Sequence, residues 1–264
     1  MNEHNFIFIT QNDPFYVRIF FEEFLSKYPD LQDLRGVVIA PAMGKKSLSR
    51  LIKQMYDFYG PVDFVRVGIK YVWYKLAARL PTFMRRSRFY SIEQICAHYK
   101  IEAIHASDIN NAEFLQKLKD QNLDLIISVA APQVFRKELI NIPRRGCINI
   151  HNSKLPKYRG MLPNFWQMFH GEKFVGTTIH RINAGIDDGD ILLQAESPIT
   201  EGESLDSLIQ RTKRSGAHLM MEMLKQFHAG EPEPIPNRSE EATYFTFPTR
   251  EQVRAFRRRG YRLI

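Results

Sequence analysis

The stretch "LIISVAAPQVFRKELINIPRRGCINIH", residues 125–151, decides the fold. It opens on an apolar run rich in β-branched side chains and too short for a helix, as a strand buried on both faces requires. A Pro-containing turn follows, then one or two helical turns in "PQVFRKELI", then a second strand in "GCINIH". Strand, helical crossover and strand are the unit from which parallel sheets are assembled.

The same alternation runs outward from this stretch. Upstream lie a strand in "NFIFIT" (5–10), a turn at "QNDP", a helix in "FYVRIFFEEFLSKYP" (15–29) and a strand in "RGVVIAP" (35–41). "SLSRLIKQMYDFY" (47–59) has helical spacing, with Ser47 as its cap. "SIEQICAHYK" and "NAEFLQKLKDQNLD" are further helices around a short strand in "IEAIHA". After residue 175 the pattern changes. "GTTIHRI" and "GDILLQAESPI" form an antiparallel pair across a Gly- and Asp-rich loop. A helix from Ser204 to Phe227 and a tail of Pro-rich coil with a short basic helix complete the sequence. The expected fold class is α/β: a Rossmann-like, mainly parallel sheet with helices on both faces, an antiparallel strand pair and a small C-terminal extension.

With 264 residues the chain can bury a substantial core. Its formal charge of +8 favours an anionic partner. Two cysteines, Cys96 and Cys147, have no metal-ligand spacing and make no disulfide framework, so a reducing, cytoplasmic location is expected. The first residues lack the pattern of a signal peptide. The most apolar segment, "FVRVGIKYVWYKLAARL" (64–80), is interrupted by Arg66, Lys70, Lys75 and Arg79, so it is no membrane span. The first two cations fall on one side of a helix and the last two roughly opposite, which argues for a packed helix with solvated charges rather than a tidy amphipathic face. A basic element resting on a membrane surface is the alternative. No metal is expected: no His pair stands at helical spacing. "FITQNDPF" after the first strand lacks the glycines of a dinucleotide site, and there is no phosphate loop or nucleophile elbow.

Chemistry concentrates at the end of the "CINIH" strand. Alternation puts Asn149 and His151 on one face and Ile148 and Ile150 on the other. An amide donates a hydrogen bond to a developing oxyanion, and an imidazole exchanges a proton near neutral pH. The loop "NAGIDDGDI" offers three carboxylates, Asp187, Asp188 and Asp190, to complete the set. Here the residues reach a resemblance. "NIHNSKLPKYRGMLPNFW" followed by "GEKFVGTTIHRINAGIDDGD" resembles the formyltransferase family that uses 10-formyltetrahydrofolate, through the pattern Asn-x-His-x-Ser-x-Leu-Pro-x-x-Arg-Gly and a later Gly-Asp loop.

The resemblance implies transfer of a formyl group to an amine without a metal. Asn149 would stabilise the oxyanion and His151 would shuttle the proton. Asp187 would raise the imidazole pKa and receive the proton through water, while Asp190 braces the loop. The family holds its pterin largely by backbone groups, which here correspond to Gln133, Val134 and Phe135 and to Ile182, Asn183, Ala184, Gly185 and Ile186. Asn152, Ser153, Lys154 and Leu155 border the same cleft. Ser153, Pro156, Arg159 and Gly160 are expected to shape the turn. Met161 stands where some sugar formyltransferases carry a folate-contacting Arg. The implied organisation is a catalytic domain over residues 1–200, with an irregular, aromatic, basic insertion at about 60–90, and a C-terminal helix and extension over 201–264.

Among acceptors, an amino-sugar nucleotide is the choice: a small, anionic amine suits the positive charge, and the short C-terminal extension leaves no room for the barrel that tRNA-specific members add. Nucleic acid is therefore disfavoured as a partner. Methionyl-tRNA, glycinamide ribonucleotide and water, the last making a hydrolase, are the alternatives, and a binding protein with a degenerate site is a further one. Tyr158, Trp166, Tyr244 and Phe245 are candidates to stack a base or sugar, with core packing as their commoner use. The 60–90 insertion is a candidate dimer surface, acceptor lid or membrane contact.

Overall fold

The computed structural model describes residues 4–41, 48–81, 84 and 88–264. Seven strands form one sheet in the order β3-β2-β1-β4-β5-β7-β8. They are β1 (Phe6–Gln11), β2 (Leu34–Ala40), β3 (Ala103–His105), β4 (Leu125–Val129), β5 (Cys147–His151), β7 (Phe174–Arg181) and β8 (Ile191–Pro198). The first five run parallel, and β7 and β8 are antiparallel. The expected architecture is present.

Alternating side chains explain why both faces are covered. Phe6 and Phe8 enter one apolar core and Ile7 and Ile9 the other. Each such side chain, fully buried, stabilises the fold by roughly 1.5–3 kcal/mol. Helices α1 (Val17–Lys27), α3 (Ile92–Tyr99) and α7 (Leu205–Ala229) cover the first face. Helix α4 (Ala112–Lys119) and the single turn α5 (Lys137–Ile140) cover the second. Ser91, Asn111 and Ser204 cap α3, α4 and α7 by accepting backbone N–H bonds. The expected cap at Ser47 lies outside the described residues.

A third core joins α6 (Pro163–Phe169), α8 (Arg250–Arg258) and the tail. There β6 (Arg159–Gly160) pairs in parallel with β9 (Tyr244–Phe245), so the C-terminal segment returns across the end of β5. Three of the four candidate stacking residues are packing residues: Tyr158 and Trp166 both stack on Phe245. Tyr244 stays exposed.

Within the 60–90 segment, expected to be irregular around a packed helix over 64–80, the described residues are α-helical through Ala77. Helix α2 runs from Leu48 to Ala77, broken at Gly60 (φ 71°) and Pro61. Its second half contradicts the expectation that a tidy face is absent. Plotted at 100° per residue, Val62, Val65, Ile69, Val72, Trp73 and Leu76 fall in one arc of about 100°, with Arg66 and Lys70 on one flank and Lys75 on the other. The cations on opposite sides border the apolar stripe rather than interrupting it. The stripe is exposed, not packed.

Candidate active site

β5 leads its polar side chains to the carboxyl end of the parallel sheet, where open α/β folds bind ligands. The alternation is as expected: Ile148 and Ile150 enter one core, and Cys147 enters the other. Asn149 and His151 therefore project on the Cys147 side, His151 buried and Asn149 half-buried.

The loop after β7 brings Asp187 to them. One carboxylate oxygen lies 3.6 Å from His151 Nδ1. The same oxygen accepts a 2.9 Å bond from the Gly160 backbone N–H. The other oxygen lies 3.5 Å from Asn149 Nδ2 and 3.5 Å from His180 Nε2. Asn149, His151 and Asp187 thus converge as the motif implied.

Hydrogen bonding assigns the imidazole tautomers. His151 Nε2 lies 2.9 Å from the Tyr158 carbonyl, so Nε2–H donates and Nδ1 is left as the basic atom, facing Asp187. His180 Nδ1–H donates to the Arg181 carbonyl at 2.8 Å, and its Nε2 accepts from Asn149 Nδ2 at 3.1 Å. Burial pushes the His151 imidazole below its ordinary pKa, although Asp187 and the Tyr158 carbonyl pull it up. His180 and the Lys213 ammonium push in the same downward direction as burial. Asp187 raises the imidazole pKa in the expected sense, but the net direction is down, because desolvation exceeds the attraction of one carboxylate. Burial also lifts the Asp187 carboxyl, but His151, His180 and the Gly160 N–H outweigh it and hold that carboxyl well below the usual range. The resting pair is a neutral imidazole beside an ionised carboxylate.

A second layer fixes the acid's loop. Arg159, buried, ion-pairs with Asp188, and its guanidinium also donates to Asn237 Oδ1 at 2.9 Å. Ser239 donates to Asp188 at 2.8 Å. Asn237 Nδ2 donates to the Asp187 and Gly189 carbonyls at 3.0 Å each. The carboxylate that braces the loop is therefore Asp188; the Asp190 side chain is exposed, and only its carbonyl joins the ladder. Gly160 is required at its position: φ is +95°, and a Cβ there would sit 2.3 Å from the Phe245 carbonyl.

These groups open on a cleft of about 510 Å³. Its walls hold Asn149, His151, Asn152 and Asp187, the loop residues Gln133, Val134 and Ile186, and Met161, Lys213 and Tyr244. The remaining candidates for cofactor contact stand elsewhere. The Phe135 and Leu155 side chains are buried in the core. Ser153 Oγ bonds the Lys157 carbonyl. Lys154 pairs with Glu196 at 2.7 Å. Ile182 is tied through its N–H to the Cys147 carbonyl, and Asn183 closes a turn by accepting from Gly185 N. Ile182, Asn183, Ala184 and Gly185 are absent from the cleft wall and carry the loop that presents Ile186 and Asp187. The Gln133 side chain is occupied with Ile109 N and the Ser107 carbonyl.

Sequence reasoning missed three residues. His180 lies opposite Asn149 in the β5–β7 ladder, and its signal was the antiparallel pair itself. Lys213 is the one cation among the described residues of the cleft wall, and burial pushes its ammonium down against the pull of Asp13. Asn237 gave no local signal, being far away in the tail.

The family model described as "Formyl transferase" matches residues 79–224. A methionyl-tRNA formyltransferase of Caldanaerobacter subterraneus subsp. tengcongensis is 34% identical over 164 residues, covering 62% of this chain and 53% of that protein. The chain spans about half the length of the curated relatives it matches. Among solved structures, a sugar N-formyltransferase of Shewanella superposes with a TM-score of 0.57 at 19% identity, covering 92% of this chain and 76% of that one. A sugar 3-N-formyltransferase solved with dTDP and 5-N-formyltetrahydrofolate gives 0.58 at 16% identity, covering 97% and 80%. These two likenesses establish the fold. The family match takes in more than half of the sequence, including β5, β7 and the loop that carries Asp187, and the chain belongs to the formyl transferase family.

Proposed function

We propose that the chain transfers a formyl group from 10-formyltetrahydrofolate to the primary amine of a small anionic acceptor, an amino-sugar nucleotide. The observation that carries this reading is the convergence of Asn149, His151 and Asp187 on one cleft. The cleft also fits the donor. Its volume lies in the range of small-molecule sites. Ala130, Ala131, Pro132, Val134 and Ile186 give it apolar walls for a flat ring. The donor would supply an activated one-carbon unit at the formate oxidation level; the oxyanion contact and the proton transfer are done by groups of this protein.

Asn149 supplies the oxyanion donor. Its 3.5 Å contact to Asp187 is the weaker of its two and is the one an incoming carbonyl oxygen displaces, while His180 keeps the amide oriented through the 3.1 Å bond. Such a donor contributes about 3 kcal/mol to the transition state. The acceptor amine adds to the formyl carbon, and neutral His151 accepts the amine's proton at Nδ1, the atom left basic by the Tyr158 bond. The cation so formed stands 3.6 Å from the Asp187 carboxylate, which stabilises it. The adduct then collapses with cleavage of the bond between the formyl carbon and the folate N10, and the imidazolium returns that proton to the departing nitrogen.

The acceptor assignment draws on Lys213, a cation suited to a phosphate or carboxylate, and on Tyr244, exposed at the cleft and suited to stack a base or sugar. Methionyl-tRNA is the second reading, favoured by the sequence relatives. The test offers formyl-folate with amino-sugar nucleotides, initiator methionyl-tRNA, glycinamide ribonucleotide or no amine, and follows formyl incorporation by mass spectrometry. Formylation of an amino-sugar nucleotide at the highest kcat/KM supports the proposal. Preference for tRNA, or rapid formate release without an amine, defeats it.

A further inference from the structure

We infer that the outer face of α2 binds an anionic lipid surface. The inference is independent of the proposed reaction. The face is the apolar stripe of Val62, Val65, Ile69, Val72, Trp73 and Leu76, all more than half exposed. Ile69 at 67% and Trp73 at 56% show the extent. Contiguous apolar exposure of this kind marks a contact site rather than ordinary surface.

The helix is not free to roll this face inward, because its other side is already engaged. Tyr74 packs edge-on against Phe15 and Tyr90, with ring centroids 5.7 and 5.5 Å away. The Arg18 guanidinium sits over the same Tyr74 ring. Ala77 is buried, and the Ala78 carbonyl accepts from Gln94 Nε2 at 2.7 Å. Across the break, Phe58 lies in the third core, and Arg257 of α8 donates to the Tyr59 carbonyl and pairs with Asp63. Both halves of α2 are anchored, so the stripe faces outward by construction.

Charge selects the occupant. Between Asp63 and Glu93 every charged residue in the sequence is Lys or Arg. Arg66 and Lys70 border the stripe on one flank and Lys75 on the other. The acids on α2, Asp57 and Asp63, are paired within the chain, with Lys53 and with Arg66 and Arg257. A two-fold interface would set this basic border against its own copy, with no free acid on the helix to meet it. An acyl boundary with anionic headgroups satisfies both features: the stripe enters the boundary and the flanking cations meet phosphates. Trp73, at the edge of the stripe beside Arg66, suits the interfacial depth that Trp prefers. No described helix is long and apolar enough to cross a membrane, so the contact is one of lying on the surface.

The two tryptophans make the test direct, because Trp166 is 3% exposed in the core and Trp73 is not. The full chain is mixed with vesicles of phosphatidylglycerol or of phosphatidylcholine, and binding is read by co-sedimentation and by tryptophan emission. The expected result is at least tenfold tighter binding to the anionic vesicles, with a blue shift that Trp73→Phe abolishes. Ile69→Glu with Val72→Glu removes binding and leaves far-UV circular dichroism unchanged. Lys70→Gln and Lys75→Gln each weaken anionic binding roughly fivefold. Equal binding to both vesicles, no binding to either, or a solution dimer that Val65→Glu dissolves would overturn the inference.

Discussion

Replacing Asp187 with Asn removes the charge on which the proposed chemistry rests while keeping the side chain's shape. The Asn oxygen can still accept the 2.9 Å bond from Gly160 N, so the loop keeps its main tie. What disappears is the attraction between the carboxylate and an imidazolium at 3.6 Å. At an effective dielectric constant of about 20 this attraction is about 332/(20 × 3.6), or roughly 4.6 kcal/mol. At about 1.36 kcal/mol per decade, the chemical step should slow by about a thousandfold. The substituted amide also points a donor towards Asn149, whose own donors already face that oxygen. Single-turnover formyl transfer with pre-bound donor isolates this step, and circular dichroism checks the fold. The pH profile supplies a second readout. His151 works as a neutral base, so activity falls on the acid side as pH drops through its pKa. Asp187 raises that pKa, so its loss must move the acid limb to lower pH. A folded variant turning over within tenfold of the parent, with an unmoved limb, would refute the reasoning.

Lys213→Met should shift the acid limb the other way, to higher pH, because the ammonium depresses the His151 pKa. It should also raise KM roughly tenfold for an anionic acceptor, about one exposed-to-buried charge pair, and far less for a neutral amine; steady-state kinetics on both acceptors checks this. His180→Ala frees the Asn149 amide that it now orients at 3.1 Å. The double variant with Asn149→Ala should be no slower than Asn149→Ala alone, a non-additivity read from a double-mutant cycle. Asn237→Ala leaves the Asp187 and Gly189 carbonyls and the Arg159 guanidinium short of partners. Urea unfolding should show a loss of about 1–3 kcal/mol, the desolvation penalty of an unsatisfied buried group.

The sheet was legible because its signal is local. β4 and β5 are apolar runs bounded by turn residues, and the alternation of Asn149 and His151 against Ile148 and Ile150 follows from strand geometry alone. The trio was legible through the motif, since its spacing is written within two segments. The direction of the His151 shift was not, because desolvation depends on how completely the surrounding chain closes over the ring. The cofactor candidates split for a related reason. A motif names consecutive residues, yet neighbours along a loop face different ways: Val134 is on the cleft wall and Phe135 is in the core. The α2 stripe is hidden in the linear sequence because Arg66, Lys70 and Lys75 break up the apolar run there, whereas their angular positions on the helix make them borders.

Asp187 occupies a left-handed conformation, φ 50°, which a non-glycine side chain adopts at a cost of about 1 kcal/mol or more. Such a conformation persists only where the surroundings over-determine it. Here four ties do so: the Gly160 N–H on the side chain, Asn237 on the two carbonyls, the Arg159–Asp188 pair, and Ser239 on Asp188. Arg159 and Gly160 belong to the motif, but Asn237 and Ser239 lie 50 and 51 residues beyond the loop residues they hold, in the returning tail. That tail also closes on β6 through β9 and lends Tyr244 to the cleft. The same segment therefore fixes the acid and lines the opening that admits an acceptor. Substitutions between Asn237 and Tyr244 should for that reason couple acceptor choice to the position of Asp187, and no change confined to the motif can separate the two.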